Sequence, residues 1–355
     1  MASFDNPAFD NHESVHFFSD AASGMRAIIA IHSSALGPAA GGCRYWQYAS
    51  DDLALTDALR LSRGMSYKNA LAGLPMGGGK AVLMKGAGAE HREALFAAFG
   101  RAVDSLGGRY VTAEDVGTRI EDMQQVARAT AHVSGLPSTS ARAGGDPSPR
   151  TACGVYLAMK ESWRFATGSA QLAGVRIAVQ GVGGVGGALC DLLHRDGAQL
   201  FIADVSAARA LQVGRECSAA IVATDDLLGV EADILAPCAL GGILDARSIE
   251  RLRARVICGA ANNQLASAED GRHLHERGIL YAPDYVVNAG GIISVALEYL
   301  RSGSAAEAQA RIDNIPVTLR AILEEAAAQR TPTSEVADRM AQKRIQLANS
   351  SRAGK

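Results

Sequence analysis

Two of the six lysines in this 355-residue chain stand out by their company: Met65-Ser-Tyr-Lys68-Asn-Ala-Leu and Gly77-Gly-Gly-Lys80-Ala-Val-Leu are otherwise small or apolar. An ammonium group drawn into such surroundings loses hydration, and desolvation favours the neutral amine, which is a base. A solvated position is the commoner fate of a lysine, so the neighbours decide the matter. Asp115, in Thr112-Ala-Glu-Asp115-Val-Gly117, follows a short apolar run and is the candidate carboxylate to set the charge state of such an amine.

A second chemical signature lies further on. The apolar run Val175–Gln180 leads directly into Gly181-Val-Gly183-Gly184-Val185-Gly186, and Leu189, Leu192 and Leu193 then recur at helical spacing. In a strand–turn–helix of this kind, Gly181 permits the tight turn, Gly183 lets backbone approach a pyrophosphate, and Gly186 allows the helix to pack closely on the strand. The helix N-terminus favours the phosphate charge. The next apolar run, Gln199–Ala203, ends in Asp204, where a carboxylate accepts hydrogen bonds from ribose hydroxyls and repels a 2′-phosphate, so NAD is expected rather than NADP. A chance glycine turn with a surface aspartate would not produce this order of elements.

Stepping outward from these groups, Ser50 followed by Asp51 and Asp52 predicts a helix start, with Leu55, Ala58, Leu59 and Ser62 on one face and an end near Met65. The glycines and proline of 69–80 predict a break before a short strand at 81–84, which puts Lys80 at a loop-to-strand junction. A helix over about 92–106 and a strand over 109–112 then deliver Asp115. Residues 136–150, rich in Pro, Gly and Ser, predict an interdomain crossing. Beyond it, strands and helices alternate in the manner of a doubly wound parallel sheet. The C-terminal part, 304–346, predicts two helices divided at 330–334.

Composition sets the class. With 48% hydrophobic and 20% charged residues the chain is an ordinary globular sequence, long enough for two domains and a cleft between them. A net charge of −2 offers no basic footprint for nucleic acid. The polar, acidic start lacks the pattern of a signal peptide and no apolar run is long enough to span a membrane, so a cytoplasmic protein is expected. The cysteines, Cys43, Cys153, Cys190, Cys217, Cys238 and Cys258, are far apart without metal-ligand spacing, and no metal is expected.

Taken together, the segments Gly37-Pro-Ala-Ala-Gly41-Gly42-Cys-Arg44, Ala58–Ala70, Gly77–Ala81, Thr112–Gly117, Gly181–Gly186, Ala236–Gly242, Gly259-Ala-Ala-Asn262-Asn263-Gln264 and Tyr281–Gly291 resemble, in order and over nearly the whole chain, the leucine, phenylalanine and valine dehydrogenase family. The resemblance implies that Lys68 grips the substrate carboxylate with help from Asn262, and that Lys80 is the general base with Asp115 tuning its protonation. It implies that Gly41 and Gly42 let substrate lie close to backbone and that Leu36, Gly41, Met65, Ala113, Ile292 and Val295 line the side-chain pocket. On the cofactor side it implies Gly181, Gly183, Gly184, Val185, Gly186 and Asp204, with Thr151, Cys238, Ala239, Asn263 and Asn288 near the dinucleotide.

The expected reaction is the reversible NAD-dependent oxidative deamination of an L-amino acid with an apolar side chain, since the pocket offers no charge partner. Ala113 leans the expectation toward leucine, valine or isoleucine; phenylalanine or tryptophan is the alternative, and Cys43, Tyr45, Trp46, Gln47 and the Ile293-Ser294 pair depart from the leucine-type pattern near the pocket. Dehydrogenation of an alcohol or hydroxy acid, and a catalytically inactive NAD-binding module, are the rival readings. The expected architecture is α/β: an N-terminal α/β substrate and oligomerisation domain over 1–140, with 330–355 folding back onto it, and a Rossmann domain over 141–329. A homo-oligomer, dimer or octamer, is implied.

Overall fold

The computed structural model describes residues 3–86, 91–136, 146–300 and 304–353. Most of the expected interdomain crossing, at 137–145, and the domain boundary near 140 lie outside the described residues. The chain divides into two compact units: Met1–Asp146 with Ile292–Ala308 and Ala341–Lys355, and Pro147–Gly291 with Gln309–Met340.

The first unit is built on a mixed sheet of β1 (Ser14–Asp20), β2 (Met25–Ser33), β3 (Ala39–Ala40), β4 (Cys43–Trp46), β5 (Gly77–Met84) and β6 (Tyr110–Val111), interleaved with helices α1 (Asp51–Leu71), α2 (Arg92–Asp104) and α3 (Ile120–Ala127). Strand order is β1-β2-β5-β3-β6, with β4 also on β5. β5 runs antiparallel to β2 and parallel to β3 and β4, which share its other edge: Ala40 lies opposite Gly78 and Cys43 opposite Ala81. Gly41 and Gly42 fall in the gap between those two pairings, beside Gly79 and Lys80.

Alternation along β5 separates two cores. Ala81 and Leu83 pack with Ile29, Phe96, Phe99, Tyr110 and Met123 of the α2–α3 side, whereas Val82 packs with Ala54, Leu55, Ala58 and Leu59 of α1. Lys80 shares the parity of Val82 and so points to the α1 side. Helix α1 starts as expected, with the Ser50 hydroxyl accepting from the Leu53 amide at 3.3 Å and Asp51 and Asp52 in the first turn. It does not end near Met65 but continues to Leu71, so Lys68 is in its last turn, where a cation is favourable.

The expected loop over 69–80 is likewise shorter than the glycines suggested, because β5 begins at Gly77 and Lys80 is inside the strand, not at its mouth. Glycine serves packing here: a Cβ on Gly78 would overlap Ser66 of α1, and one on Gly79 would press on the Tyr110 ring.

The second unit holds β7 (Arg176–Gln180), β8 (Gln199–Ala203), β9 (Ala220–Ile221), β10 (Ile234–Pro237), β11 (Val256–Ile257) and β12 (Leu280–Tyr281), preceded by α4 (Ser148–Thr167) and separated by α5 (Gly184–Arg195), α6 (Ala207–Glu216), α7 (Ala246–Arg251) and α8 (Ala268–Glu276). All its pairings are parallel, in the order β12-β11-β10-β7-β8-β9. The order reverses beside β7, the switch point at which open α/β sheets bind ligands past the strand carboxyl ends. α9 (Asp284–Val287) and α10 (Gly290–Tyr299) follow.

Among the described residues from 304 onward there are three helices, not the expected two: α11 (Ala305–Ile312), α12 (Ile315–Gln329) and α13 (Thr333–Ala353). The extra break at Asp313-Asn314 precedes Pro316, which sits in the first turn of α12 where its missing N–H costs nothing. From Ala341 onward α13 belongs to the first unit. There Gln342 donates to the Tyr67 hydroxyl at 2.8 Å, and Arg344 donates to the Ala70 and Leu71 carbonyls at the end of α1, at 2.9 and 3.1 Å. Among the described residues no helix is long and apolar enough to cross a membrane.

Candidate active site

In the first unit, β5, β4 and the loop after β6 converge on Asp115. The Lys80 ammonium lies 2.8 Å from Asp115 Oδ2, with only 6% of its side chain exposed. Arg44 of β4 sends Nε to the same oxygen at 3.3 Å and Nη1 to Asp57 of α1 at 2.9 Å. Burial alone would raise the Asp115 carboxyl, but Lys80 and Arg44 overcome it and hold the group below the usual carboxylate range, so it is an anion. Thr118 fixes the turn that carries it, accepting from the Asp115 amide at 2.8 Å and donating to the Asp115 carbonyl at 2.7 Å.

The glycines beside this centre are there because neighbours come too close for anything larger. A Cβ on Gly42 would lie 2.6 Å from the Glu114 carbonyl oxygen and 2.8 Å from Asp115 Cβ. One on Gly41 would overlap the Gly79 carbonyl and stand 3.2 Å from Met65 Cγ. The Tyr110 hydroxyl donates to the Gly41 carbonyl at 2.6 Å, and the Cys43 amide donates to Ala113 at 2.8 Å. Burial pushes the Cys43 thiol and the Tyr110 hydroxyl well above their ordinary values, leaving both neutral.

The structure thus brings Lys80, Asp115, Gly41, Gly42, Met65 and Ala113 into one neighbourhood. Lys68 is half-buried on α1, and Met65 lies one turn before it on the same flank. Leu36 is half-buried in the connection from β2 to β3, and Ile292 and Val295, three residues apart on α10, are half-buried in the first unit. Asn262 belongs to the second unit. Arg44, Asp57 and Thr118 were missed as site residues. Arg44 was visible as the last residue of the Gly41-Gly42-Cys-Arg44 segment, while Asp57 and Thr118 carry no signal short of the fold.

In the second unit the glycine turn has the backbone that its sequence requires. Gly181 has φ +84°, and a Cβ there would lie 2.6 Å from Ala239 Cβ; at Gly186 it would overlap the Gly181 carbonyl and stand 3.2 Å from Cys238 Cβ. Gly183 is the N-cap of α5 and offers no side-chain oxygen, which leaves first-turn amides to meet an anion. Asp204, one residue past β8, accepts from the Val182 amide through Oδ2 and from the Ser206 amide through Oδ1, both at 2.8 Å. Its carboxylate is therefore fixed at the lip of the turn with lone pairs to spare.

On the other side of this sheet edge, Asn288 donates to the Ala260 carbonyl and to Asn262 Oδ1, both at 2.9 Å. Asn263 is exposed at φ +53°. Thr151, in the first turn of α4, is buried against Gly291, where a Cβ would come within 2.7 Å of its hydroxyl. Among the described residues Gln180 Oε1 and Asn288 Oδ1 are buried without a hydrogen-bond partner, a state that native proteins seldom leave unexplained. Orphaned acceptors, a glycine-lined helix start and a fixed carboxylate fit a dinucleotide.

Two family models match the chain. Residues 12–132 match the Glu/Leu/Phe/Val dehydrogenase dimerisation domain, and residues 202–353 match the Glutamate/Leucine/Phenylalanine/Valine dehydrogenase domain. The leucine dehydrogenase of Geobacillus stearothermophilus is 47% identical over 342 residues, 96% of this chain and 93% of that protein. The valine dehydrogenase of Streptomyces virginiae is 48% identical over 340 residues, 94% of each. Among solved structures, L-tryptophan dehydrogenase from Nostoc punctiforme superposes with a TM-score of 0.82 at 41% identity, covering 96% of this chain and 97% of that one.

The chain belongs to the glutamate/leucine/phenylalanine/valine dehydrogenase family. It is an enzyme, an amino-acid dehydrogenase whose second unit is of the Rossmann kind.

Proposed function

We propose that the enzyme catalyses the reversible NAD-dependent oxidative deamination of a branched aliphatic L-amino acid to its 2-oxo acid and ammonia. The observation that carries the reading is the Lys80 amine, buried in the first unit and 2.8 Å from the Asp115 carboxylate. An amine in that position serves proton transfer better than it serves the surface, and a positioned base contributes on the order of 10²- to 10⁴-fold.

Lys68 binds the substrate carboxylate by a charge-assisted hydrogen bond, and Asn262 contributes an amide to the same end of the substrate. Acceptance of hydride from Cα is the chemistry that a bound nicotinamide supplies. Lys80 takes a proton from the water that adds to the resulting substrate imine, and then returns one to the departing ammonia. Asp115 holds the amine in place and balances its charge. Gly41 and Gly42 let the substrate lie close to backbone, and Leu36, Gly41, Met65, Ala113, Ile292 and Val295 line the side-chain pocket; with no charged group among them, acidic and basic amino acids are rejected.

Asp204 is the basis for NAD over NADP, because a 2′-phosphate would meet a carboxylate held in place by two backbone amides. The glycine turn, with Val185 and Gly184 at the helix start, holds the pyrophosphate, while Thr151, Cys238, Ala239, Asn263 and Asn288 border the dinucleotide. The dimerisation-domain match at 12–132 supports assembly as a homo-oligomer through the first unit.

The test follows NADH and NADPH consumption with ammonium and a panel of 2-oxo acids from aliphatic to indolic. Fastest turnover with NADH and the oxo acids of leucine, valine or isoleucine is expected. A preference for the aromatic or indolic acids would overturn the substrate, and consumption of NADH that does not need ammonium would overturn the reaction.

A further inference from the structure

We infer that Arg44 is a positioning residue that divides the Asp115 carboxylate with Lys80 and thereby sets the pH at which the Lys80 amine works as a base; the inference rests on the proposed role of Lys80. Lys80 Nζ and Arg44 Nε share one oxygen, Asp115 Oδ2, at 2.8 and 3.3 Å, so the two cationic nitrogens are no more than about 6 Å apart. Arg44 is itself held from the other side. Its Nη1 is 2.9 Å from Asp57 Oδ2, which also accepts the Tyr48 hydroxyl at 2.5 Å.

The result is a line of alternating groups, Tyr48, Asp57, Arg44, Asp115 and Lys80. Side-chain exposure falls along it from 27% at Asp57 through 22% at Arg44 and 17% at Asp115 to 6% at Lys80. The guanidinium stays charged, because burial opposes its charge but Asp115 and Asp57 outweigh burial.

A lone carboxylate at ion-pair distance from a buried amine makes that amine hard to deprotonate, since the anion favours the ammonium. Arg44 offsets this in two ways: it occupies part of the same oxygen, and it places a second positive charge beside the first. Asp57 tempers Arg44 in turn. The other ionisable groups around this centre do not supply the same control. Cys43 of β4 and Tyr110 of β6 are neutral, Asp122 of α3 is paired with Arg92 of α2 at 2.5 Å, Glu114 is exposed, and Lys68 of α1, the cation proposed to hold the substrate carboxylate, is the same in the parent and in every Arg44 and Asp57 variant below.

Because kcat/KM reports the ionisations of free enzyme, the acid limb of its pH profile for amino-acid oxidation is the readout. Removing a charge this close in a half-buried site moves such a limb by about one pH unit. Arg44→Met is expected to move it to higher pH by that amount, and Arg44→Lys, which keeps the charge, to return it most of the way. Asp57→Asn strips the charge that tempers Arg44 and is expected to move the limb the other way, to lower pH, by less.

Opposite shifts in Arg44→Met and Asp57→Asn support the inference. Shifts of one sign in both, or a lowered rate with the limb unmoved, overturn it and mark the line as structural. Thermal melting of each variant identifies any that fails to fold. If that is Arg44→Met, Asp57→Asn alone decides, a downward shift supporting the role and no shift or an upward one ending it. Lys80→Ala is run beside them: if it retains the parent rate, the base assignment itself fails and takes the role of Arg44 with it, whereas an inactive Lys80→Ala with unmoved limbs in the other variants removes Arg44 alone.

Discussion

The glycine turn of the second unit and the lysine–carboxylate centre of the first meet charge in different ways. At the turn, a contiguous stretch, Gly181–Gly186, offers backbone amides at a helix start, and one carboxylate, Asp204, is tied to the same stretch through the Val182 amide. At the centre, the charged groups come from β4, β5, α1 and the loop after β6, and each ion is held by another: Lys80 by Asp115, Asp115 by Arg44, Arg44 by Asp57. Backbone amides do not titrate and need only the right curvature. Side-chain ions need both position and a balanced proton affinity, so a fold must bring several elements together to make them.

That difference yields separable failures. The largest effect is expected from Gly186→Val, since even a first side-chain carbon would overlap the Gly181 carbonyl. NADH affinity measured by fluorescence titration should fall by at least about 100-fold, the loss expected when a helix can no longer seat on its strand and present its amides. An unchanged Kd would show that the turn does not hold the dinucleotide. The lysine–carboxylate centre of such a variant should be intact, because its residues all lie in the other unit.

A smaller effect sharpens the comparison through acid stability. In the first unit, His12 and His32 stack edge to face at 4.9 Å, both buried, with His32 held toward neutrality at about 4 chiefly by burial and by His12. His12 is lowered mainly by burial as well, and its Nδ1 accepts the Asp10 amide at 3.1 Å. A histidine whose folded value lies below its unfolded value of 6.5 contributes stability that is complete above 6.5 and lost as pH falls toward about 4, here about 3 kcal/mol for His32.

In the second unit the buried Glu161 is bound by Arg320 at 2.7 Å and by Arg164 at 2.6 Å, and Arg320 foremost holds it down at about 2. Its contribution persists until pH falls below the ordinary carboxylate value of 4.5 and is lost on approach to 2. Each unit has one of the two tryptophans, Trp46 and Trp163. Single-tryptophan variants followed by fluorescence should therefore report the first unit loosening between pH 6.5 and 4 and the second at lower pH. Coincident transitions would contradict the assignment.

Legibility in the sequence follows the same division. Every element of the turn was readable because its parts are adjacent: an apolar strand, glycines at fixed offsets, a leucine-spaced helix and a terminal acid. Lys80 and Asp115 were readable as residue types in unusual company, yet the strand that holds Lys80 was not, because Gly77-Gly-Gly looks like a break until Ser66 and Tyr110 are seen pressing on it. Helix α1 was cut short for a related reason, since Ser66, Tyr67 and Asn69 weaken the apolar stripe while facing partners that only the fold provides. The extra helix boundary at Asp313-Asn314 was hidden by Pro316, which marks a helix start as readily as a break. Arg44 and Asp57 act across 71 and 13 residues of chain, distances over which no spacing rule operates.

The proposed chemistry depends most directly on what Lys80 does. NADH affinity and the saturated rate with oxo acid and ammonium, measured on Lys80→Ala beside the parent, separate binding from chemistry. The expected result is an NADH Kd within about 2-fold of the parent and a rate lower by about 10²- to 10⁴-fold, the range for loss of a positioned base. A saturated rate equal to that of the parent, or a loss of NADH affinity as large as the loss of rate, would contradict it.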